Sequence, residues 1–248
     1  MDLYFKLIKQ PVFNINDVFK YYSNKNTAKS ALRKLINKEM VVKIKNGMYT
    51  CISGETGLPV ATRYQIAAKI TSDSYISHHT AMEYYGYTDQ VYYEVYVSSK
   101  TRFRSFQFNG YFYKWIKSRY DDGVEEVQYS GGVRVTNIER TVIDCINDMN
   151  LISGLEEVVS NINSIHSLNE YKLMDYLNIY QKTVLYQKVG FILSENNRFN
   201  ISSKFYEECK SHIGNSKCYL TNDHTISTLD KTWNVMVPRN YSKMQNGE

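Results

Sequence analysis

The sequence has no apolar run long enough to cross a membrane, for which about 18 residues are needed. Its first residues, Met1 to Lys6, carry a charge near each end and offer no small-residue cleavage site. They therefore do not predict a secretory signal peptide. We expect a protein of the cytoplasm without a membrane partner.

Cysteine is also scarce, at 4 residues in 248. Cys51, Cys145, Cys209 and Cys218 form no C-x-x-C pair, and none lies at metal-site spacing from a histidine. With 43% hydrophobic residues, the chain can build a core that needs no disulfide. The four thiols are therefore expected to be free and mostly buried.

Sequence signatures of catalysis are absent as well. There is no H-E-x-x-H, G-x-S-x-G, P-loop or G-x-G-x-x-G motif, and the neighbours His78 and His79 cannot both lie on one face of a helix. The acidic pairs at 121–122 and 125–126 are of the kind that a two-metal nuclease uses. They lie in a polar loop, however, where solvated charge is the commoner explanation. We expect no catalytic residue, no metal and no cofactor.

What the chain does have is a basic N-terminal end. Residues 1–50 hold nine lysines and one arginine against three acids, a net charge of +7, whereas residues 51–248 carry −2. A small basic head on a near-neutral body is the charge pattern of a module that faces nucleic-acid phosphates. A lysine-rich solvated surface would give the same numbers, so charge alone does not decide between the two.

Two helices are predicted at the start of this head. The first covers residues 2–10 and stops at Pro11, whose ring and missing N–H end a helix. In the next segment apolar residues recur at i, i+3, i+4 and i+7, which is the spacing of one helix face. These residues are Ile15, Val18, Phe19 and Tyr22, and Asn14 before them is a suitable N-cap.

A third helix is predicted over residues 27–39, after a short polar turn. Its apolar residues again share one face, which must point to the core: Ala28, Ala31, Leu32, Leu35 and Ile36. The opposite face carries side chains that donate hydrogen bonds to base edges and phosphate oxygens. The short helix before the turn, the turn itself and this basic third helix together have the pattern of a helix-turn-helix.

A β-hairpin is predicted directly after this third helix. Residues 41–45 and 48–52 are its strands, and Asn46-Gly47 is a preferred two-residue turn in which both residues need a positive φ. A hairpin at this point is the wing of a winged helix. Its tip carries Lys43, Lys45 and Asn46, which are placed to reach a neighbouring phosphate or minor groove.

These patterns predict an α+β fold with two domains. A winged helix-turn-helix that binds DNA occupies residues 1–53, and a larger mixed α/β domain occupies residues 60–248 and is helical from about residue 138. The strands predicted in this second domain cover 92–98, 103–108, 111–116, 133–136 and 233–237. Its predicted helices cover 61–70, 77–85, 138–149, 154–165, 169–180 and 183–193.

The predicted DNA-binding residues lie on the third helix and on the hairpin. The residues expected in the major groove are Thr27, Lys29, Ser30 and Arg33. Those expected to hold phosphates are Lys25, Lys34, Lys43 and Lys45. Asn26, Asn37 and Asn46 complete the set.

Three blocks of the body resemble the AbiEi family of antitoxin regulators from type IV toxin–antitoxin systems, which act in abortive infection and phage defence. Residues 75–90, Y-I-S-H-H-T-A-M-E-Y-Y-G-Y-T-D-Q, are similar to that family's Y-I-S-x-x-S-A-L-x-x-H-G-L-T segment. Residues 133–145, V-R-V-T-N-I-E-R-T-V-I-D-C, are similar to its strand followed by an E-R-T-L-I-D helix. Residues 154–158 resemble a G-G-x-E-E helix start. With the head, the resemblance covers about residues 1–165.

This resemblance implies a function that the patterns alone do not give. Members of the family bind inverted repeats upstream of their own operon through the winged helix and repress it. Their C-terminal domain counters a nucleotidyltransferase-like toxin without a stable complex. The family's blocks are not catalytic, and most of their residues here are expected to pack the core.

Two other functions stay open from the sequence. One is a nuclease or nucleotidyltransferase guided by the basic head, for which Asp121 and Asp122 are the best candidate acids. Metal-dependent turnover of nucleic acid that is lost when those acids are changed would favour it. The other is a plasmid replication initiator, which would bind iterated repeats and a helicase loader.

Overall fold

The structure is a computed structural model that describes residues 2–88, 90–152, 154–196, 198–222 and 227–246. The fold is mixed α+β, as predicted. The chain divides into two compact units. The first unit comprises Met1–Ile76, Tyr92–Arg119 and Glu125–Val135, and the second comprises Ser77–Val91, Tyr120–Val124 and Thr136–Glu248. The first unit therefore contains more than the predicted head, and the domain boundary between residues 53 and 60 stays a prediction.

The chain begins with two short helices, α1 (Asp2–Leu7) and α2 (Ile15–Phe19), with strand β1 (Phe13–Asn14) between them. Helix α1 ends three residues before the end predicted from Pro11, and α2 ends three residues before Tyr22, the last residue of its apolar pattern. The N-terminus of α2 is capped as expected, because the side chain of Asn14 accepts from the backbone N–H groups of residues 16 and 17. The carboxylate of Asp17 in turn accepts from the backbone N–H of Asn14 at 2.9 Å.

The third helix, α3 (Lys25–Asn37), is followed by strands β2 (Val41–Lys45) and β3 (Met48–Cys51). Helix α3 begins two residues before the predicted start, because Asn24 is its N-cap and accepts from the backbone N–H groups of residues 26 and 27. Strands β2 and β3 pair antiparallel, and β1 joins β3 to give the order β1-β3-β2. One core holds the helices and this sheet together: Leu3, Tyr4, Leu7, Phe13, Val18, Ala28, Leu32, Leu35, Val41 and Cys51.

The rest of the first unit is built around a six-stranded sheet, preceded by helix α4 (Arg63–Ala67). The strands are β4 (Tyr75–Ile76), β5 (Glu94–Ser99), β6 (Phe106–Phe108), β7 (Tyr111–Lys117), β8 (Val124–Glu126) and β9 (Arg134–Thr136), in the order β6-β7-β5-β4-β9-β8. The hairpin predicted between β6 and β7 is confirmed. Its turn residues Asn109 and Gly110 both have a positive φ, 48° and 82°, as a two-residue turn of this type requires.

The second unit is mainly helical. Its helices are α5 (His78–Tyr84), α6 (Ile138–Ile152), α7 (Leu155–Asn163), α8 (Glu170–Tyr180), α9 (Thr183–Ser194), α10 (Ser203–Ser211) and α11 (Tyr241–Asn246). A small sheet of β10 (Cys218–Tyr219), β11 (Ser227–Asp230) and β12 (Val235–Pro238) has the order β10-β12-β11. The helices predicted from residue 138 onward are confirmed, whereas α10 and two of these strands are not evident in the sequence pattern. Within the described residues, no helix is both long and apolar enough to span a bilayer.

The blocks that carry the family resemblance are packing elements, as expected. Strand β4 of the first block pairs in parallel with β9 of the second, through Ile76 and Val135. Helix α5 buries His78, His79, Thr80, Ala81 and Met82, and α6 buries most of its first nine residues. Asp89 of the first block lies outside the described residues. Most residues of the second block, and residues 75–82 of the first, therefore pack in the interior.

The four cysteines are free and buried, which confirms that expectation. Burial raises the pKa of the Cys51 and Cys209 thiols to about 12 in each case. Because the thiolate is the reactive form, these side chains behave as small apolar groups of the core.

One close approach in the second unit gives a testable packing prediction. Gly190, in the middle of α9, lies against the ring of Trp233, and a Cβ added there would overlap the ring atoms. Trp233 is 3% exposed and its indole N–H donates to Ser194 Oγ at 3.0 Å, so the ring cannot simply move aside. We expect Gly190→Ala to lower the free energy of unfolding by about 1–3 kcal/mol, despite the better helix propensity of alanine.

Urea denaturation followed by circular dichroism measures this change. Gly214→Ala is the matched control, because nothing lies within 4 Å of its added Cβ. An unchanged or higher stability of Gly190→Ala would show that α9 and Trp233 are not in contact as described.

Candidate nucleic-acid interface

Helix α3 separates a buried face from a polar one. Ala28, Leu32 and Leu35 are buried in the head core. All eight residues predicted to bind DNA on this helix are exposed: Lys25, Asn26, Thr27, Lys29, Ser30, Arg33, Lys34 and Asn37. Since successive residues turn by about 100°, Asn26, Arg33 and Asn37 fall in one narrow arc, with Lys29 and Ser30 on either side of it. The helix is about 20 Å long, enough to lie along a major groove.

The positive charges on this face are not neutralised by neighbours. Within the part of the chain that the structure describes, Lys29, Arg33 and Lys34 form no ion pair and no side-chain hydrogen bond. The ammonium group of Lys25 lies 5.7 Å from the centre of the Phe19 ring, which leaves its charge in place. Lys20, by contrast, is paired with Asp17 at 2.7 Å. The charge of α3 is therefore available to an anionic partner.

The β2–β3 hairpin is irregular near its end. Lys43 pairs with Tyr49 and Lys45 with Met48, so β2 contains one extra residue there, a β-bulge. The bulge turns Ile44 into the core while Lys43 stays exposed. Lys43 Nζ donates to Asn46 Oδ1 at 2.8 Å, and both side chains remain on the surface. Two of the three predicted hairpin residues are thus accessible.

The turn of this hairpin differs from the prediction. Of its two described residues only Gly47 has a positive φ, 77°, whereas the Asn46-Gly47 pattern predicts a positive φ at both. The bulge accounts for the difference, because the extra residue in β2 changes the geometry with which the strand enters the turn.

Lys45 is placed differently from the expected solvent-exposed phosphate contact. Its ammonium group lies 5.3 Å from the centre of the Phe103 ring and 5.1 Å from that of Phe106. The side chain is only partly exposed, and burial lowers the pKa of its ammonium group. Lys45 therefore joins the hairpin to the six-stranded sheet of the first unit by cation–π contacts. The sequence pattern misses this role because Phe103 and Phe106 lie about sixty residues away.

Charge is divided strongly between the two units. The first unit holds 19 Lys and Arg against 8 Asp and Glu, a net charge of +11. The second holds 11 against 17, a net charge of −6. The basic character that the sequence places in residues 1–50 thus extends through the sheet that packs with them. A field of this sign favours a polyanion at the first unit.

The alternative acidic site is not assembled. Asp121, Asp122, Glu125 and Glu126 are all exposed. Among the described residues there is no group of three His, Cys, Asp or Glu side chains that could hold a metal ion. The backbone carbonyl of Asp122 accepts from the Arg140 guanidinium at 2.6 Å, which gives this loop a structural contact.

A hydrogen-bonded chain of serine, histidine and aspartate lies inside the second unit, and the sequence pattern does not reveal it. His78 Nδ1 is 2.7 Å from Ser77 Oγ, and its Nε2 is 3.3 Å from an oxygen of Asp148. Ser77 is fully buried and His78 is 2% exposed, so no substrate reaches the hydroxyl. His78 has a φ of 54°, a strained value that these two hydrogen bonds help to hold. We read the chain as structural.

Comparison with known proteins gives information on the fold alone. No protein-family model matches the chain, and no curated protein matches it. The solved structure of the RV2827C protein from Mycobacterium tuberculosis is similar, with a TM-score of 0.66 and 12% sequence identity. The match covers 94% of this chain and 89% of that one. At this identity the likeness shows a shared fold across nearly the whole chain.

Proposed function

We propose that this protein is a DNA-binding repressor of its own operon that also acts as an antitoxin. One observation carries the DNA-binding part: α3 presents a continuous exposed face of cations and hydrogen-bond donors opposite its buried face. The order α2, turn, α3 and β2–β3 hairpin supports this proposal, because a winged helix-turn-helix has its elements in the same order. In this proposal α3 enters the major groove of an operator, and Lys43 and Asn46 of the hairpin reach the adjacent backbone.

The two kinds of contact have different consequences. Arg33 lies near the centre of the exposed face, and an arginine there can pair with the two acceptors of a guanine edge. Lys25 and Lys34 lie at its sides, where they contact phosphates and carry no sequence information. Specificity therefore depends chiefly on Arg33, and affinity on the summed charge.

The antitoxin part is supported only by the family resemblance of residues 75–90 and 133–145. The geometry of the site does not contribute to it. In this proposal the second unit counters a nucleotidyltransferase-like toxin without a stable complex, and the operator contains inverted repeats. The toxin would be encoded next to this gene. Protection of cells that express that neighbouring gene tests the proposal directly, and growth arrest despite co-expression of this chain would contradict it.

The DNA-binding part predicts a loss of specificity in Arg33→Ala. We expect binding to the chain's own upstream DNA to weaken by about 1–3 kcal/mol, or roughly 5- to 150-fold. Binding to a shuffled duplex of the same length should fall much less, because the lost contact reads a base. Fluorescence anisotropy on both duplexes measures the two affinities.

Lys217→Ala is the control, since it removes one exposed charge from the second unit. It should leave both affinities unchanged. An equal loss of Arg33→Ala on the two duplexes would refute a base-reading role for this side chain.

A further inference from the structure

A second basic surface lies in the first unit, outside the predicted head. Residues 100–119 contain six Lys and Arg and no Asp or Glu. We call this segment, which includes β6 and β7, the basic hairpin. Its exposed cations include Arg102, Arg104, Lys117 and Arg119. Lys114 is not one of them, because it is paired with Glu94.

The basic hairpin is joined to the β2–β3 hairpin by the contacts of Lys45. Phe103 is 8% exposed and lies under the Lys45 ammonium group, between the exposed residues Arg102 and Arg104. Phe106, the second ring under Lys45, stacks on Tyr113 with centroids 4.8 Å apart. Arg102 and Arg104 are the chain neighbours of Phe103, so the Cα atom of each lies about 3.8 Å from that of Phe103. The basic hairpin therefore meets the β2–β3 hairpin at Lys45.

The strand register extends this surface. Strands β6 and β7 run antiparallel from their turn, with Phe106 opposite Tyr113. The end of β7 at Lys117 therefore lies level with the segment before β6. The guanidinium of Arg102 lies 5.4 Å from the centre of the Trp115 ring, which agrees with this register and keeps its charge at the surface. Arg102, Arg104 and Lys117 thus lie at the same end of the basic hairpin.

We propose that this end of the basic hairpin is a second DNA contact, at which Arg102 and Arg104 bind backbone phosphates of the duplex that α3 reads. The inference rests on the proposed DNA binding and enlarges it. A guanidinium pairs with a phosphate through two hydrogen bonds. Because phosphates are the same in every sequence, these contacts add affinity and leave the choice of operator to α3.

The double variant Arg102→Gln/Arg104→Gln tests this inference in the full chain. Each phosphate contact contributes about 0.9 to the slope of log K against log salt concentration, so the slope should become shallower by about 1.8. The ratio of affinities for the upstream and shuffled duplexes should not change. Anisotropy titrations on 30-base-pair duplexes between about 50 and 200 mM salt give both quantities.

Two further variants separate charge from folding. Arg102→Lys/Arg104→Lys keeps the charge and should keep the slope. Lys204→Gln/Lys217→Gln removes the same charge from exposed positions of the second unit and should also keep it.

An unchanged slope in Arg102→Gln/Arg104→Gln, with Arg33→Ala still impaired, would overturn this inference and leave the proposed function standing. An unchanged slope with loss of protection against the toxin would assign the surface to a protein partner and overturn it too. A wild-type chain that binds neither duplex would overturn both proposals.

Discussion

Asp144→Ala is expected to lower the free energy of unfolding by about 3–5 kcal/mol, the largest single effect that we predict on stability. Asp144 and Arg140 are 3% and 2% exposed, and their Oδ1 and Nε atoms are 2.9 Å apart. The two residues are four apart on α6, a spacing that places their side chains on the same face of the helix. Removing the carboxylate leaves a buried guanidinium without its countercharge.

Further contacts make the pair part of a network. The hydroxyl of Tyr180 donates to Asp144, and the guanidinium of Arg140 lies 5.3 Å from the centre of the Tyr180 ring. Burial, together with the charge of Asp144, raises the pKa of Tyr180, so its hydroxyl stays protonated and remains a donor. Arg140 also holds the loop at Asp122. The substitution therefore affects α6, α8 and this loop together.

Urea denaturation of three variants distinguishes a buried network from a surface pair. Asp175→Ala removes an exposed acid from α8 and should change stability by less than about 0.5 kcal/mol. Asp144→Asn keeps an acceptor for Tyr180, so its loss of stability should lie between those of Asp175→Ala and Asp144→Ala. A loss below about 1 kcal/mol in Asp144→Ala would mean that water reaches the pair.

Lys29→Ala/Arg33→Ala/Lys34→Ala is expected to abolish repression, which is the largest effect that we predict on function. At about 1–1.5 kcal/mol for each contact, the affinity for the upstream duplex should fall by about 150- to 2,000-fold. The fold should be unaffected, because all three side chains are exposed and alanine is a strong helix former. Protection against the toxin should be retained, because the resemblance assigns that activity to the C-terminal domain.

A reporter gene behind the chain's own upstream DNA and a growth assay with the toxin measure the two activities in the same cells. Lys204→Ala/Lys217→Ala/Lys231→Ala removes three exposed charges from the second unit and is the control for repression. Full repression by the α3 variant would contradict our assignment of this helix.

The sequence predicts this fold well where a local pattern is enough. The apolar spacing of α3 needs only its own thirteen residues, and its exposed face follows from that spacing. The start of the helix is less predictable, because the segment before it is polar throughout and only the structure shows that Asn24 is the N-cap. Helix α10 is missed because it buries only Phe205 and Cys209, too few residues for a recognisable period.

Contacts between distant segments are what the sequence does not reveal. The strand pattern alone does not distinguish Lys45 from Lys43. A bulge and two phenylalanines about sixty residues away make Lys45 partly buried and leave Lys43 exposed. The same contact brings Arg102 and Arg104 beside the hairpin. The size of the basic surface therefore depends on tertiary packing that no local spacing predicts.

The most direct test of our account is a salt titration of the wild-type chain on its own upstream duplex and on a shuffled duplex. With five or more phosphate contacts, log K should fall linearly with log salt at a slope of about −4.5 or steeper, and the upstream duplex should bind at least 100-fold more tightly. Equal affinity for the two duplexes, or binding that salt does not weaken, would contradict the claim that α3 reads DNA.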